Sequence, residues 1–236
     1  MASTHRVAGL RLPLALSLLL LAVPLSGCAV GNTYNYRSPT LAQPWIEGKG
    51  TLAVATHDLR PDVVSGDETP DYVGLQRAGL GNPFDASTAS GLPLSDDWTY
   101  IVAQGLTRGG FTATPISTSP KEQPDSVIHK LEATGAQASL LFVLNRWHSD
   151  TYNNVTLHHE VVLAVLDPAG KVLAEARLTG SSELGGSFFN PPAYAKRNVP
   201  LEFERKLATL LRDPRIVQAV QTATRSTPPP APPSAP

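Results

Sequence analysis

Residues 138–178 constrain the fold more than any other stretch, because their hydrophobic pattern admits few geometries. Leu140-Leu141-Phe142-Val143-Leu144 is a continuous apolar run, as in a strand that is covered on both faces or central in a sheet. A turn-rich connection, Ser149 to Asn154, follows it. Val155, Leu157, His159, Val161, Leu163 and Val165 then recur at every second residue and share one face of a second strand. Asp167-Pro168-Ala169-Gly170 makes a tight turn. The return strand points Val172, Ala174, Ala176 and Leu178 inward, with Glu175 and Arg177 outward. This alternation predicts an antiparallel meander.

Around it the period is helical. Thr51 to Thr56 is a short buried strand. Ser95 reads as an N-cap, with Asp96 and Asp97 in a first turn where carboxylates face the positive helix end. Trp98, Ile101, Val102 and Leu106 continue at helical spacing to a stop at Gly109-Gly110. Phe111 to Ile116 forms a second strand, and Asp125 caps a helix that carries Val127, Ile128 and Leu131 towards Gly135. A Gly-rich segment, Gly180 to Pro192, precedes a third helix marked by Leu201, Phe203, Leu207, Leu210 and Leu211. Asp213-Pro214 opens a short fourth. The expected fold class is α/β (α+β): a single domain with a mixed β-sheet, a C-terminal antiparallel meander, and helices mainly on one face.

The chain also carries an address. Arg6 and Arg11 precede an apolar run from Leu14 to Leu25, which is shorter than the roughly 20 residues needed to span a bilayer. The run ends in Leu25-Ser26-Gly27-Cys28, the pattern of a bacterial lipoprotein signal, and Cys28 is the single cysteine. Diacylation of its thiol and cleavage before it predict a membrane anchor strong enough to persist, since two chains hold where one does not. Ala29, in place of the Asp that retains lipoproteins in the inner membrane, favours the periplasmic face of the outer membrane.

The organisation expected is a signal peptide over 1–27, lipidated Cys28 with a flexible tether over 28–49, a globular domain over 50–223 and a Pro-rich disordered tail over 224–236. Losing Arg6 and Arg11 with the leader takes 19 basic residues to 17, against 20 acidic, a net charge of −3. A chain so close to neutral has no electrostatic footprint for nucleic acid. Lipidation of Cys28 also removes disulfide and thiolate chemistry.

The residues resemble the YajG-type family of bacterial envelope lipoproteins. The resemblance lies in the lipobox, the early strand, and Val73-Gly74-x-x-Arg77-x-Gly79-x-Gly81-Asn82-Pro83-Phe84-Asp85. It continues in the helix ending at Gly110-Phe111 and the Gly135-Ala136 lead into Leu140–Leu144. It implies a membrane-anchored periplasmic α/β sheet domain, with no catalytic residues to carry over.

The chemistry-bearing residues point no further. His158 and His159 are adjacent, so on a strand they face opposite ways. His158 shares its face with Glu160, and a hairpin can bring His148 or Asn145 near, but a zinc site needs at least three protein ligands. Gly180-Ser181-Ser182-Glu183-Leu184 fails the nucleophile-elbow pattern at its last position. Gly79-x-Gly81 lacks the third glycine of a dinucleotide fingerprint. No catalytic residue, metal or cofactor is expected.

The segment 72–94 is the candidate interaction loop, with Tyr72, Arg77, Asn82, Phe84 and Asp85 as its contact residues. It reads equally well as packing, with Phe84 plugging the sheet edge and Arg77 tied to Asp85. The paired aromatics Phe188-Phe189 form a second candidate, either exposed or capping the core. The expected function is that of a non-enzymatic binding or assembly factor whose partners are the membrane, through Cys28, and an unidentified envelope protein. Two alternatives stand beside it: a small-ligand carrier or auxiliary subunit of an envelope transport system, and a hydrolase whose triad assembles only in space.

Overall fold

The computed structural model describes residues 31–77 and 82–226. Eight strands form one mixed sheet: β1 (Asn32–Tyr34), β2 (Thr51–Asp58), β3 (Tyr72–Arg77), β4 (Pro83–Thr88), β5 (Thr112–Ile116), β6 (Ala138–Thr151), β7 (Asn154–Leu166) and β8 (Val172–Gly186). Five α-helices accompany them: α1 (Pro61–Ser65), α2 (Leu94–Arg108), α3 (Pro124–Glu132), α4 (Pro191–Leu211) and α5 (Pro214–Ser226).

The long strand β6 organises the sheet. Along its whole length it pairs antiparallel with β7, which pairs antiparallel with β8. On its other side the N-terminal half takes β2 in parallel, with β5 beyond, and the C-terminal half takes β3, with β4 and β1 beyond. A register shift between Leu144 and Arg146 separates the halves. Side chains at Leu140, Phe142 and Leu144, then Trp147 and Ser149, therefore all point to one buried face across an odd step. Gly74, at φ 147°, lets β3 close on β6 at the matching place, where a Cβ would meet the Ser149 carbonyl oxygen at 2.2 Å.

Helices α2, α4 and α5 cover one face, where Trp98, Ile101, Val102, Phe203, Leu207, Ile216 and Val220 pack with Leu52, Phe142, Trp147, Leu157 and Leu163. The opposite face carries α3, whose Val127 and Leu131 sit on Ala53, Ala55, Ala164 and Leu166. The meander and the helices mainly on one face are as the pattern requires, except that Val172, expected inside, is exposed beyond a register shift where β8 begins. No described helix is long and apolar enough to cross a membrane.

The tether expected over 28–49 is corrected from residue 31 onward. Tyr34, Tyr36, Leu41, Trp45 and Ile46 are buried. Asn32–Tyr34 pairs with β4. The Tyr34 hydroxyl shares a 3.0 Å hydrogen bond with the Ser149 hydroxyl, and Trp147 Nε1 donates to the Tyr36 hydroxyl at 3.2 Å. Arg37 pairs with the buried carboxylate of Asp97 in the first turn of α2. Trp45 lies so close against α2 that a Cβ at Gly105 would stand 2.2 Å from its ring, which explains a glycine inside that helix. Burying so many aromatics outweighs the chain entropy that a polar, aperiodic segment would otherwise keep.

Four further boundaries move. The candidate loop 72–94 is not structureless, because it holds the β3–β4 hairpin. Strand β8 continues past Leu178 to Gly186, since β7 supplies a ladder for its weak strand formers. Helix α4 starts at Pro191 and runs through Pro200, whose missing donor is offset by burial of Ala195, Val199, Pro200 and Phe203. Thr224 to Ser226, placed in the tail by sequence, complete α5. Residues 1–30, including Cys28 and the signal peptide, and the tail from 227 lie outside the described residues.

Candidate interaction surface

Strand directions bring several segments to one end of the sheet. Strand β6 ends there at Thr151 and β7 begins at Asn154, opposite Gly186 at the end of β8. Strand β3 runs parallel to β6 and ends there at Arg77, so the antiparallel β4 starts there at Pro83. Strand β1, parallel to β4, therefore enters the sheet at the same end. The register thus gathers the chain entry, Arg77, Asn82, Phe84, Tyr152 and the Phe188-Phe189 loop.

The predicted contact residues divide there. Tyr72 is buried, and its hydroxyl pKa is pushed up to about 12 by burial, so it belongs to the packing. Phe84 is half-buried, and Asn82 and Asp85 are exposed. Arg77 is exposed and pairs with Asp150, not with Asp85: Nε and Nη2 reach the two carboxylate oxygens at 3.2 and 3.0 Å. That bidentate pair clips β3 to the end of β6. Residues 78–81, the turn between β3 and β4, lie outside the described residues.

The aromatic pair is exposed. Phe188 and Phe189 are 86% and 95% accessible, and their rings meet edge to face, with centroids 5.4 Å apart. Tyr152 on the neighbouring turn is also exposed.

A different surface lies at the far end. An open cleft of about 780 Å³ lies between β8 and α5. Leu173, Ala174, Ala219 and Ala223 line it, with Gln137, Glu175 and Arg215 among its polar groups.

The sheet face left bare by α3 is polar. His148 and His158 are register partners with ring centroids 4.8 Å apart, and a hollow of about 380 Å³ beside them reaches Asp62, Arg146 and Glu160. No group of three His, Cys, Asp or Glu side chains converges among the described residues. His148 has its pKa lowered by burial first, and then by the nearby His158 and Arg146. Burial likewise lowers His57 and His159, whereas the exposed His129 is raised by its hydrogen bond to Glu132.

Histidines whose folded pKa lies below the unfolded value of about 6.5 bind fewer protons folded than unfolded. Their contribution to stability is complete above pH 6.5 and is lost as the pH falls below it. Three such groups against one exposed opposing group predict a urea midpoint that drops from pH 7 to pH 5. An unchanged midpoint would contradict the lowering at His57, His148 and His159.

Sequence reasoning missed Asp58 and Arg60. Arg60 is 1% exposed and Asp58 fully buried. Nε and Nη2 grip Asp58 at 2.8 and 2.7 Å, Nη1 donates to the carbonyls of Tyr72 and Trp147, and Nη2 also reaches Pro70. All five donors of the guanidinium are thus engaged. The cluster fastens β2, β3 and β6 where the sheet branches. The only local signal was Asp-x-Arg at a strand end, which is too common to read.

No protein-family model and no curated protein matches the chain. Among solved structures it is similar to a Xanthomonas campestris protein of family DUF330, at 15% identity over 84% of this chain and 98% of that one, with a TM-score of 0.45. It is also similar to a PelC dodecamer from Paraburkholderia phytofirmans, at 15% identity over 76% and 89% with a TM-score of 0.36. A lipoprotein from Neisseria meningitidis follows at 12% identity over 66% and 99%, with a TM-score of 0.26. Likenesses this distant decide no function for the chain.

Proposed function

We propose that this chain is an envelope lipoprotein of the YajG-like kind, acylated on Cys28 and held at the periplasmic face of the outer membrane. There it acts without catalysis, as a binding or assembly factor for an envelope protein. The observation that supports the reading is the short leash between lipobox and domain. Asn32 is already a sheet residue, and four residues of chain from Cys28 reach at most about 14 Å. A free tether over 28–49 would have reached roughly 70 Å. The short leash keeps the domain at the bilayer surface, where a membrane-bound partner meets it at high effective concentration.

Expression of the full chain in a diderm bacterium with labelled palmitate tests the anchor. The wild-type chain takes up label and fractionates with the outer membrane, whereas Cys28→Ser does neither. An unlabelled wild-type chain, or Cys28→Ser retained in the outer membrane, defeats the reading.

The cleft between β8 and α5 favours a second reading, a carrier of a small amphipathic ligand. A ligand-dependent rise in melting temperature that is lost in Ala219→Trp would support it.

A further inference from the structure

We infer that the Phe188-Phe189 loop is a second membrane contact, dipping into the interface of the bilayer that holds the acyl chains. This rests on the anchored reading of Cys28 and adds to it which end of the domain meets the lipid.

Two observations carry the inference. First, Phe188 and Phe189 are the most exposed large apolar side chains among the described residues, and their rings pack on each other. They are displayed on a braced loop. The Asn190 side chain accepts from the Ala193 N–H at 3.0 Å, the Asn190 N–H donates to the Ser187 hydroxyl at 3.2 Å, and the Tyr194 hydroxyl donates to the Leu184 carbonyl at 2.7 Å. The backbone on either side of the pair is thus held before any contact forms, which lowers the cost of binding.

Second, the chain enters the domain beside this loop. Asn32 Nδ2 donates to the Pro192 carbonyl at 2.9 Å, and Pro192 is three residues from Phe189. Phe189 lies within about 10 Å of Pro192, and Cys28 within about 14 Å of Asn32. An anchor on Cys28 thus holds this end of the sheet at the bilayer, whereas a protein partner could dock on any exposed part of the domain.

The surroundings suit an interface. Exposed Lys196 and Arg197 follow in the first turns of α4, and Arg197 lies over the Tyr194 ring at 5.8 Å. Of the acids at this end, Asp150 is paired with Arg77 and Glu183 accepts from the Thr156 hydroxyl, while Asp85 is exposed. Aromatic side chains with neighbouring cations are the usual composition of a surface-seated segment.

Acylation consumes the thiol of Cys28, so a cysteine introduced elsewhere is the single free thiol. Full-length Phe189→Cys and Lys171→Cys, purified as lipoproteins and labelled with a polarity-sensitive fluorophore, are reconstituted in phosphatidylethanolamine–phosphatidylglycerol vesicles containing a nitroxide lipid. Lys171 sits at the β7–β8 turn, a full strand of 13 residues away, or about 40 Å. The expected result is a blue-shifted label at 189, quenched severalfold more than the label at 171. Equal, aqueous signals at both sites in an acylated chain overturn the proposal while leaving the anchor intact. A blue shift at 189 without lipid quenching assigns the loop to a protein neighbour, such as a second copy, and also overturns it. An intact mass without the acyl chains overturns the anchored reading itself, and this inference with it.

Discussion

Arg60→Ala is expected to lower the unfolding free energy by about 3–5 kcal/mol, the usual result of removing one partner from a buried ion pair. The substitution leaves the Asp58 carboxylate in a site with no solvent access. It also strips a donor from the carbonyls of Pro70, Tyr72 and Trp147. The loss is large against a total of about 5–15 kcal/mol for a domain of ordinary stability. Urea unfolding of the purified domain measures it directly. The double variant Asp58→Leu/Arg60→Met should recover much of the deficit, because a well-packed apolar pair avoids the desolvation that the lone charge suffers. A loss below about 1 kcal/mol for Arg60→Ala would mean that water reaches the pair and that the sheet branch is held by its ladders alone.

Phe203→Ala should cost a similar amount, about 3–5 kcal/mol, for a different reason. The ring lies edge-on to Tyr36, Trp98 and Trp147, with centroid distances of 4.9, 4.8 and 5.7 Å. Its removal opens a cavity between α4, α2, β6 and the N-terminal segment. The segment should then loosen, and Arg37 becomes a diagnostic. In the intact domain Arg37 is bound to Asp97 and stacked over the Tyr100 ring at 4.5 Å, so trypsin should cut after it slowly. In Phe203→Ala the cut should come many times faster, and in a lipidated chain it would release the domain from the membrane. A midpoint shift with unchanged cleavage at Arg37 would show that the N-terminal segment is held independently of the aromatic cluster.

Much of the sheet was legible because alternation is a local signal. Val155 to Val165 cannot bury their apolar side chains as a helix, and Asp167 to Gly170 leaves room only for a tight turn. The segment at 31–49 was not legible. Its buried residues, Tyr34, Tyr36, Leu41, Trp45 and Ile46, follow no single period, because three residues pair as a strand and the rest wrap α2. The β3–β4 hairpin was hidden for a related reason: its strands are short, interrupted by Gly74 and opened by Pro83, and they persist through partners more than 60 residues away. Of the proposed contact residues, Tyr72 proved to be packing, whereas the pair Phe188-Phe189 was visible in the sequence but not its exposure.

By itself the sequence determined the meander and the helical layer above it, since each depends on the spacing of neighbours along the chain. Only the tertiary structure decided that the segment from residue 31 is packed into the domain and which loops it lies beside. Those depend on meetings such as Asn32 with Pro192, 160 residues apart, and Arg60 with Trp147, 87 apart. The physical reason is that a hydrogen bond between distant segments leaves no periodic trace in either of them. It exists only after burial of the intervening sheet has brought the two together.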